Sequence, residues 1–186
     1  MPSENAGETP HIPDTDLSAI PEAGWLGRVL DRLSGVFAMF ILASAGILIF
    51  EVFMRYVFNA PTTWGHETVV FMTACAFIYG GLFVAARDKH IRVVLIYDYV
   101  SPRVRRIMNV VISILCLISA IFFTWATWVA TERAIFTPAG EFRFETSGSA
   151  FNAPYPGILR LFLFVVMLLM AIQFLILAFN YARRRG

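Results

Sequence analysis

Two histidines are the first candidates for chemistry in this sequence. His66 and His90 lie outside the N-terminal tail, and histidine side chains in membrane proteins can ligate haem or relay protons. They are about 24 residues apart, which corresponds to roughly 36 Å along a helix, so they cannot hold one cofactor between them. We therefore expect these histidines to form hydrogen bonds at the membrane interfaces, and we expect no bound metal or other cofactor.

Three charged side chains near one membrane face are the second candidates. Glu51, Arg55 and Glu67 could line an ion path, fix a helical hairpin or meet another subunit. A charge at the bilayer centre costs about 2.5 to 3.5 kcal/mol on insertion scales, but charges near a helix end can reach headgroup water or one another. Glu51 precedes Arg55 by four residues, the favourable order for an ion pair within a helix. The prediction is a scaffold ion pair, with subunit docking or a substrate path as alternatives.

The remaining polar side chains give no catalytic pattern. Gln173 is the most polar residue within an apolar run, where a lone glutamine usually holds helices together, and Cys75 and Cys116 lie in apolar runs without a disulfide or metal pattern. The sequence contains no nucleophile with its base and no phosphate-binding loop. We expect neither an enzyme nor a transporter that works alone.

The elements that position these residues are apolar runs without charge. The chain has 186 residues, of which 58% are apolar and only 15% charged. A bilayer core of about 30 Å requires roughly 20 helical residues. Four uncharged runs have about that length: 33–50, 68–86, 107–131 and 161–182. They predict an all-α integral membrane protein with four transmembrane helices, formed by residues 25–186 as one membrane domain in the lipid bilayer.

The basic residues predict the orientation of these helices. Eleven of the 15 Lys and Arg residues fall on the side of the two termini and four on the other. Because short cytoplasmic segments retain positive charge, both termini are expected in the cytoplasm. The net charge of +2 is too small to indicate a nucleic-acid partner, and none is expected.

Two segments on the cytoplasmic side are expected to lie outside the spans. Residues 1–24 contain four prolines and five acidic residues without Lys or Arg, so we expect a disordered tail and no cleaved signal peptide. Residues 88–100 are too few to cross the bilayer. An interfacial helix is predicted there, although its apolar period is not cleanly helical. Ser101 followed by Pro102 is typical of a helix start.

The stretch from Arg55 to Glu67 connects the first two spans and is predicted to form a polar hinge. Asn59 marks the end of the first helix, which is expected to continue beyond Phe50 to about residue 58. Pro61 lies at the centre of the stretch, so an antiparallel hairpin places Arg55 at the depth of Glu67 and Phe58 at the depth of Trp64. We expect an ion pair and an aromatic pair to hold this corner, and Thr62 or Thr63 to cap the second helix.

This stretch also resembles a known family. The residues that carry the resemblance are Arg55, Asn59, Pro61, Trp64, Glu67, Gly81, Arg87 and His90. At this spacing they are similar to the signature of the small membrane subunit of tripartite ATP-independent periplasmic (TRAP) transporters. These eight positions are the predicted scaffold and partner-interface residues.

The resemblance implies both partners and location. A TRAP small subunit pairs with a large membrane subunit that carries out ion-coupled uptake, driven by sodium in this family, of an organic acid delivered by a periplasmic substrate-binding protein. It implies a multi-pass protein of the bacterial inner (cytoplasmic) membrane that serves as a scaffold. The alternative is a haem- or quinone-binding membrane anchor of a respiratory enzyme, which requires paired histidines at matching depth, and this sequence lacks them.

Overall fold

The computed structural model describes residues 23–87, 101–137 and 139–183. These residues form four helices: α1 (Gly24–Tyr56), α2 (Gly65–Ala86), α3 (Pro102–Ile135) and α4 (Tyr155–Arg183). Each is long and apolar enough to cross a membrane. The predicted all-α fold with four transmembrane helices is confirmed, and the protein is a multi-pass membrane protein.

The ends of the helices agree with local sequence signals. α1 continues past Phe50 and ends at Tyr56, and Asn59 then adopts a left-handed backbone with φ 50°. Asparagine tolerates that conformation better than most residues, which explains the stop. Ser101 is extended immediately before α3, with a proline in the first turn, as predicted. α4 begins at Tyr155, earlier than the uncharged run suggests.

The helices pack in the order α1, α2, α4, α3. α1 lies along α2, α2 packs on α4, and α3 packs chiefly on α4, while the contact between α1 and α4 is smaller. One apolar cluster joins α1, α2 and α4 through Leu26, Leu30, Tyr79, Leu82, Ala86 and Val166. A second joins α2, α3 and α4 through Ala85, Ala120, Ala171, Phe174 and Leu177. The two central helices therefore carry most of the core.

The two outer helices expose much of their apolar surface. Only 11% of the most apolar stretch of α1 and of α3 is buried within the protein, against 39% for α2 and 28% for α4. Large exposed side chains include Met39 and Ile49 on α1 and Phe122 and Trp125 on α3. Apolar surface of this extent is stable only against lipid or another protein.

The connections define two sides of the molecule. We call the side of the α1–α2 and α3–α4 connections the corner side, and the side of the α1 start and α4 end the terminal side. Residues 1–22 of the predicted tail 1–24, the predicted interfacial helix over residues 88–100 and His90 lie outside the described residues.

Candidate functional site

Glu51 is the centre of the α1–α2 corner, defined here as residues 51–67. Its Oε1 accepts a hydrogen bond from Arg55 Nη2 at 3.0 Å, which is the predicted ion pair within α1. Its Oε2 accepts two further hydrogen bonds from Thr62, one from the backbone amide at 3.1 Å and one from the hydroxyl. One carboxylate thus joins the end of α1 to the connection that follows it.

Thr62 also contacts the start of α2. Its Oγ1 accepts a hydrogen bond from the Gly65 amide at 3.2 Å, so Thr62, of the two predicted candidates, satisfies one of the free amides at the helix start. A Cβ atom at Gly65 would lie 2.6 Å from Thr62 Oγ1 and 3.3 Å from Glu51 Oε2. Only glycine fits between these two side chains without displacing them.

Of the two pairs predicted at the corner, the ion pair is observed and the aromatic pair is not. Arg55 binds Glu51, as the spacing of the two residues predicts. The ring of Trp64 packs on Phe50, with 6.4 Å between centroids, rather than on Phe58. The side chains that meet at the corner are therefore not paired symmetrically about Pro61. Eight irregular residues, 57–64, separate α1 from α2, and the path of this connection changes which side chains meet.

A second polar contact joins α1 and α2 at the terminal side. Arg87 Nη2 lies 2.8 Å from Asp31 Oδ1, and the Arg87 guanidinium lies 3.4 Å from the centroid of the Phe83 ring. The Tyr79 hydroxyl donates a hydrogen bond to the backbone carbonyl of Leu30. Arg87 is only 8% exposed, so this cation depends on Asp31 and Phe83 for its stabilisation.

The space around Gly81 is larger than expected for a glycine at a close contact between helices. A Cβ there would lie 3.8 Å from Met170, an ordinary van der Waals distance, and a Cβ at Gly80 would meet nothing within 4 Å. Ala76 and Ala85, four residues before Gly80 and four after Gly81, are buried. Within the described residues the close contacts of α2 therefore involve these alanines, whereas nothing packs closely on Gly80.

The α3–α4 connection is folded back onto the helices. The Arg143 and Glu145 amides donate hydrogen bonds to the carbonyls of Ile135 and Ala134, both at 2.7 Å. The Glu145 carboxylate then binds Arg160 on α4 at 2.7 Å. Residues 141–145 therefore lie beside the end of α3, with an isolated antiparallel bridge between Phe136 and Phe142.

Several contributors to these contacts were not among the predicted site residues, and they include Asp31, Gly65 and Tyr79. The sequence gives only a weak indication that Asp31 and Gly65 take part in contacts between helices. Asp31 lies at the border of the first apolar run, where a charge has an ordinary explanation, and Gly65 follows two threonines at a helix start. In the part of the chain that the structure describes, no group of three His, Cys, Asp or Glu residues is placed to hold a metal ion.

Two comparisons with known proteins bear on this arrangement. The family of tripartite ATP-independent periplasmic transporters, DctQ component, matches residues 44–184. The C4-dicarboxylate TRAP transporter small permease protein DctQ of Vibrio cholerae is 31% identical over 122 residues, which cover 61% of this chain and 53% of that protein. The chain thus matches about half the length of this relative. DctQ components are parts of a transporter and not enzymes, and this chain belongs to the DctQ component family of tripartite ATP-independent periplasmic transporters.

Proposed function

We propose that this chain is the scaffold subunit of a TRAP transporter in the bacterial inner membrane. In this proposal it supports a large membrane subunit that takes up an organic acid by ion coupling, with sodium as the expected ion. A periplasmic binding protein delivers the substrate. The relative in Vibrio cholerae is described as a C4-dicarboxylate transporter subunit, which supports a dicarboxylate as the first substrate to test.

The observation that carries the proposal is that the polar side chains described above contact one another within this chain, whereas the exposed faces of α1 and α3 are apolar. Arg55 and Thr62 both bind Glu51 at the corner side, and Arg87 binds Asp31 at the terminal side. These groups hold α1 against α2. A substrate path would instead need polar groups that face a shared space within the bilayer.

The exposed apolar faces of α1 and α3 support the partner role. Side chains such as Leu42, Phe53 and Phe122 are more than half exposed within the spans. A helix of a large polytopic subunit can pack on such a face without burying any unpaired charge. The predicted partner-interface residues Asn59, Pro61 and Trp64 lie in the connection between α1 and α2, where all three are exposed on the corner side.

Co-purification from native membranes tests the proposal. A tagged full-length chain, extracted in mild detergent, is expected to bring down one larger polytopic membrane protein in equimolar amount. The matched control is the chain with a charged residue on the exposed face of α1, Leu42→Arg, which is expected to lose the partner. Recovery of the native chain alone would overturn the proposal.

A further inference from the structure

A cavity lies between the starts of α2 and α4 on the corner side, apart from the Glu51 contacts. Its volume is about 280 Å³, and it is lined by residues of both helices and of the preceding connection. The lining residues used below are His66, Glu67, Val70, Phe71, Ser147 and Tyr155. Most of the wall is apolar, so the few polar groups decide what fits.

Glu67 contributes a carboxylate to the wall of this cavity. Its Oε2 atom is buried within the protein and has no hydrogen-bond partner among the described residues, so the charge of this carboxylate is poorly compensated. A cationic group bound at the part of the carboxylate that lines the cavity reduces that cost. A cationic ammonium is the donor that a carboxylate binds most strongly.

The wall beside Glu67 is rigid and aromatic. The rings of Phe71 and Tyr155 stack with 4.6 Å between centroids and 15° between planes. The Tyr155 hydroxyl lies 3.3 Å from Thr68 Oγ1, which fixes the ring. Aromatic surfaces also favour cations, so the wall and the carboxylate select the same kind of group.

The other polar groups of the cavity can donate hydrogen bonds. His66 is exposed at its edge, and Ser147 contributes a hydroxyl from the α3–α4 connection. Both can donate to phosphate oxygens. The Glu67 carboxylate is an acceptor and lies beside these two donors. The cavity therefore complements a ligand that carries both an ammonium and a phosphate. A lysine side chain of a partner protein would use the carboxylate alone.

An exposed apolar stripe leads from the cavity into the membrane. Val70, Phe77 and Val84 are spaced by seven residues on α2 and are 52%, 76% and 39% exposed. The stripe covers about 21 Å of helix, more than half of a bilayer core of about 30 Å. The polar groups of the cavity at its start and its apolar length match the shape of a phospholipid.

We propose that this cavity binds the headgroup of an aminophospholipid of the phosphatidylethanolamine type. The ammonium binds Glu67 beside the Phe71–Tyr155 pair, the phosphate binds His66 and Ser147, and one acyl chain lies along the stripe. This lipid site goes beyond the scaffold role and does not depend on it, because it requires only this chain and a bilayer.

Native mass spectrometry of the purified full-length chain tests the lipid site. The chain is titrated with phosphatidylethanolamine or with phosphatidylglycerol of the same acyl chains, which has a phosphate and no ammonium. We expect phosphatidylethanolamine to bind about tenfold more tightly, as one charge-assisted hydrogen bond implies. Equal binding of the two lipids would overturn the proposal.

Two variants and one control locate the site. Glu67→Gln is expected to remove the preference for phosphatidylethanolamine. Val70→Trp fills the cavity and keeps the carboxylate, so it is expected to weaken binding of that lipid even if Glu67→Gln does not fold. Glu141→Gln removes an exposed acid on the same side and is expected to bind as the native chain does. An unchanged preference in both cavity variants contradicts the assignment.

Carbodiimide coupling in native membranes distinguishes a lipid from a protein partner. The reagent joins a carboxylate to a primary amine with loss of water. We expect the mass of an aminophospholipid to be added to the chain at Glu67 and to be absent in Glu67→Gln. Coupling of Glu67 to a lysine of another protein, or no lipid adduct, would show that the cavity serves a different purpose.

Discussion

Thr62 donates two hydrogen bonds to a single oxygen of Glu51, one from its backbone amide at 3.1 Å and one from its hydroxyl. The same hydroxyl oxygen accepts the Gly65 amide at 3.2 Å. The end of α1 and the start of α2 are therefore connected through two side chains. This relationship, rather than pairing across the hairpin, defines the geometry of the corner.

Removal of the Thr62 hydroxyl tests that connection. Thr62→Val keeps the size and branching of the side chain but leaves Glu51 Oε2 and the Gly65 amide short of one partner each. We expect the free energy of unfolding in mixed detergent micelles to fall by about 1 to 3 kcal/mol. Thr62→Ser keeps the hydroxyl and is expected to lose much less. Equal losses in both variants would show that the methyl group matters and the hydrogen bonds do not.

Much of the fold could be predicted from the sequence because its signals are local. The uncharged runs predict the four spans, Asn59 predicts the end of α1, and Ser101 with Pro102 predicts the start of α3. The Glu51–Arg55 pair follows from their spacing within one helix.

The contacts between elements could not be predicted in the same way. The Asp31–Arg87 pair joins residues 56 positions apart, and Thr62 reaches Glu51 only because the connection bends back over α1. The expected Phe58–Trp64 pair assumed a symmetric hairpin. Such contacts depend on the packing of α1 on α2 and on the path of the connection, which neither periodicity nor composition specifies.

Two glycines of α2 provide a matched test of close packing. Gly65→Ala places a Cβ atom 2.6 Å from Thr62 Oγ1 and is expected to lower stability and the yield of folded protein. Gly80→Ala meets nothing within 4 Å and is expected to be neutral or stabilising by up to about 1 kcal/mol, since alanine favours helix. The comparison is made by thermal unfolding of both variants in the same detergent. A milder effect at Gly65 than at Gly80 is incompatible with the structure.

The terminal-side ion pair is tested by a double-mutant cycle. Asp31→Asn, Arg87→Gln and the double variant are compared by unfolding in mixed micelles. Because Arg87 is largely buried, we expect the pair to show a coupling energy between about 0.5 and 3 kcal/mol. Arg87→Lys keeps the charge but not the planar contact with Phe83, so it is expected to retain only part of the stability. Additive effects of the two single variants would exclude a direct interaction.

Substitution of Arg55 distinguishes a structural role of this residue from a role in docking a partner. Its side chain is 59% exposed, so the pair with Glu51 is screened, and Arg55→Ala is expected to cost no more than about 1 kcal/mol of stability. If the corner also meets a partner, this variant lowers recovery of the complex while the isolated chain stays folded. Arg143→Ala, an exposed cation on the same side, is the control. Loss of folding rather than of assembly would assign Arg55 to the scaffold alone.

We propose that this chain supports transport without touching the substrate. The direct measurement is uptake by proteoliposomes that contain the large membrane subunit with the native chain, with the Thr62→Val chain or with no small subunit, supplied with the binding protein and a sodium gradient. We expect uptake to require this chain and the variant to lower the maximal rate, while the substrate range and the half-saturating concentration stay unchanged. Full uptake without the chain, or an altered substrate range in the variant, would contradict the account.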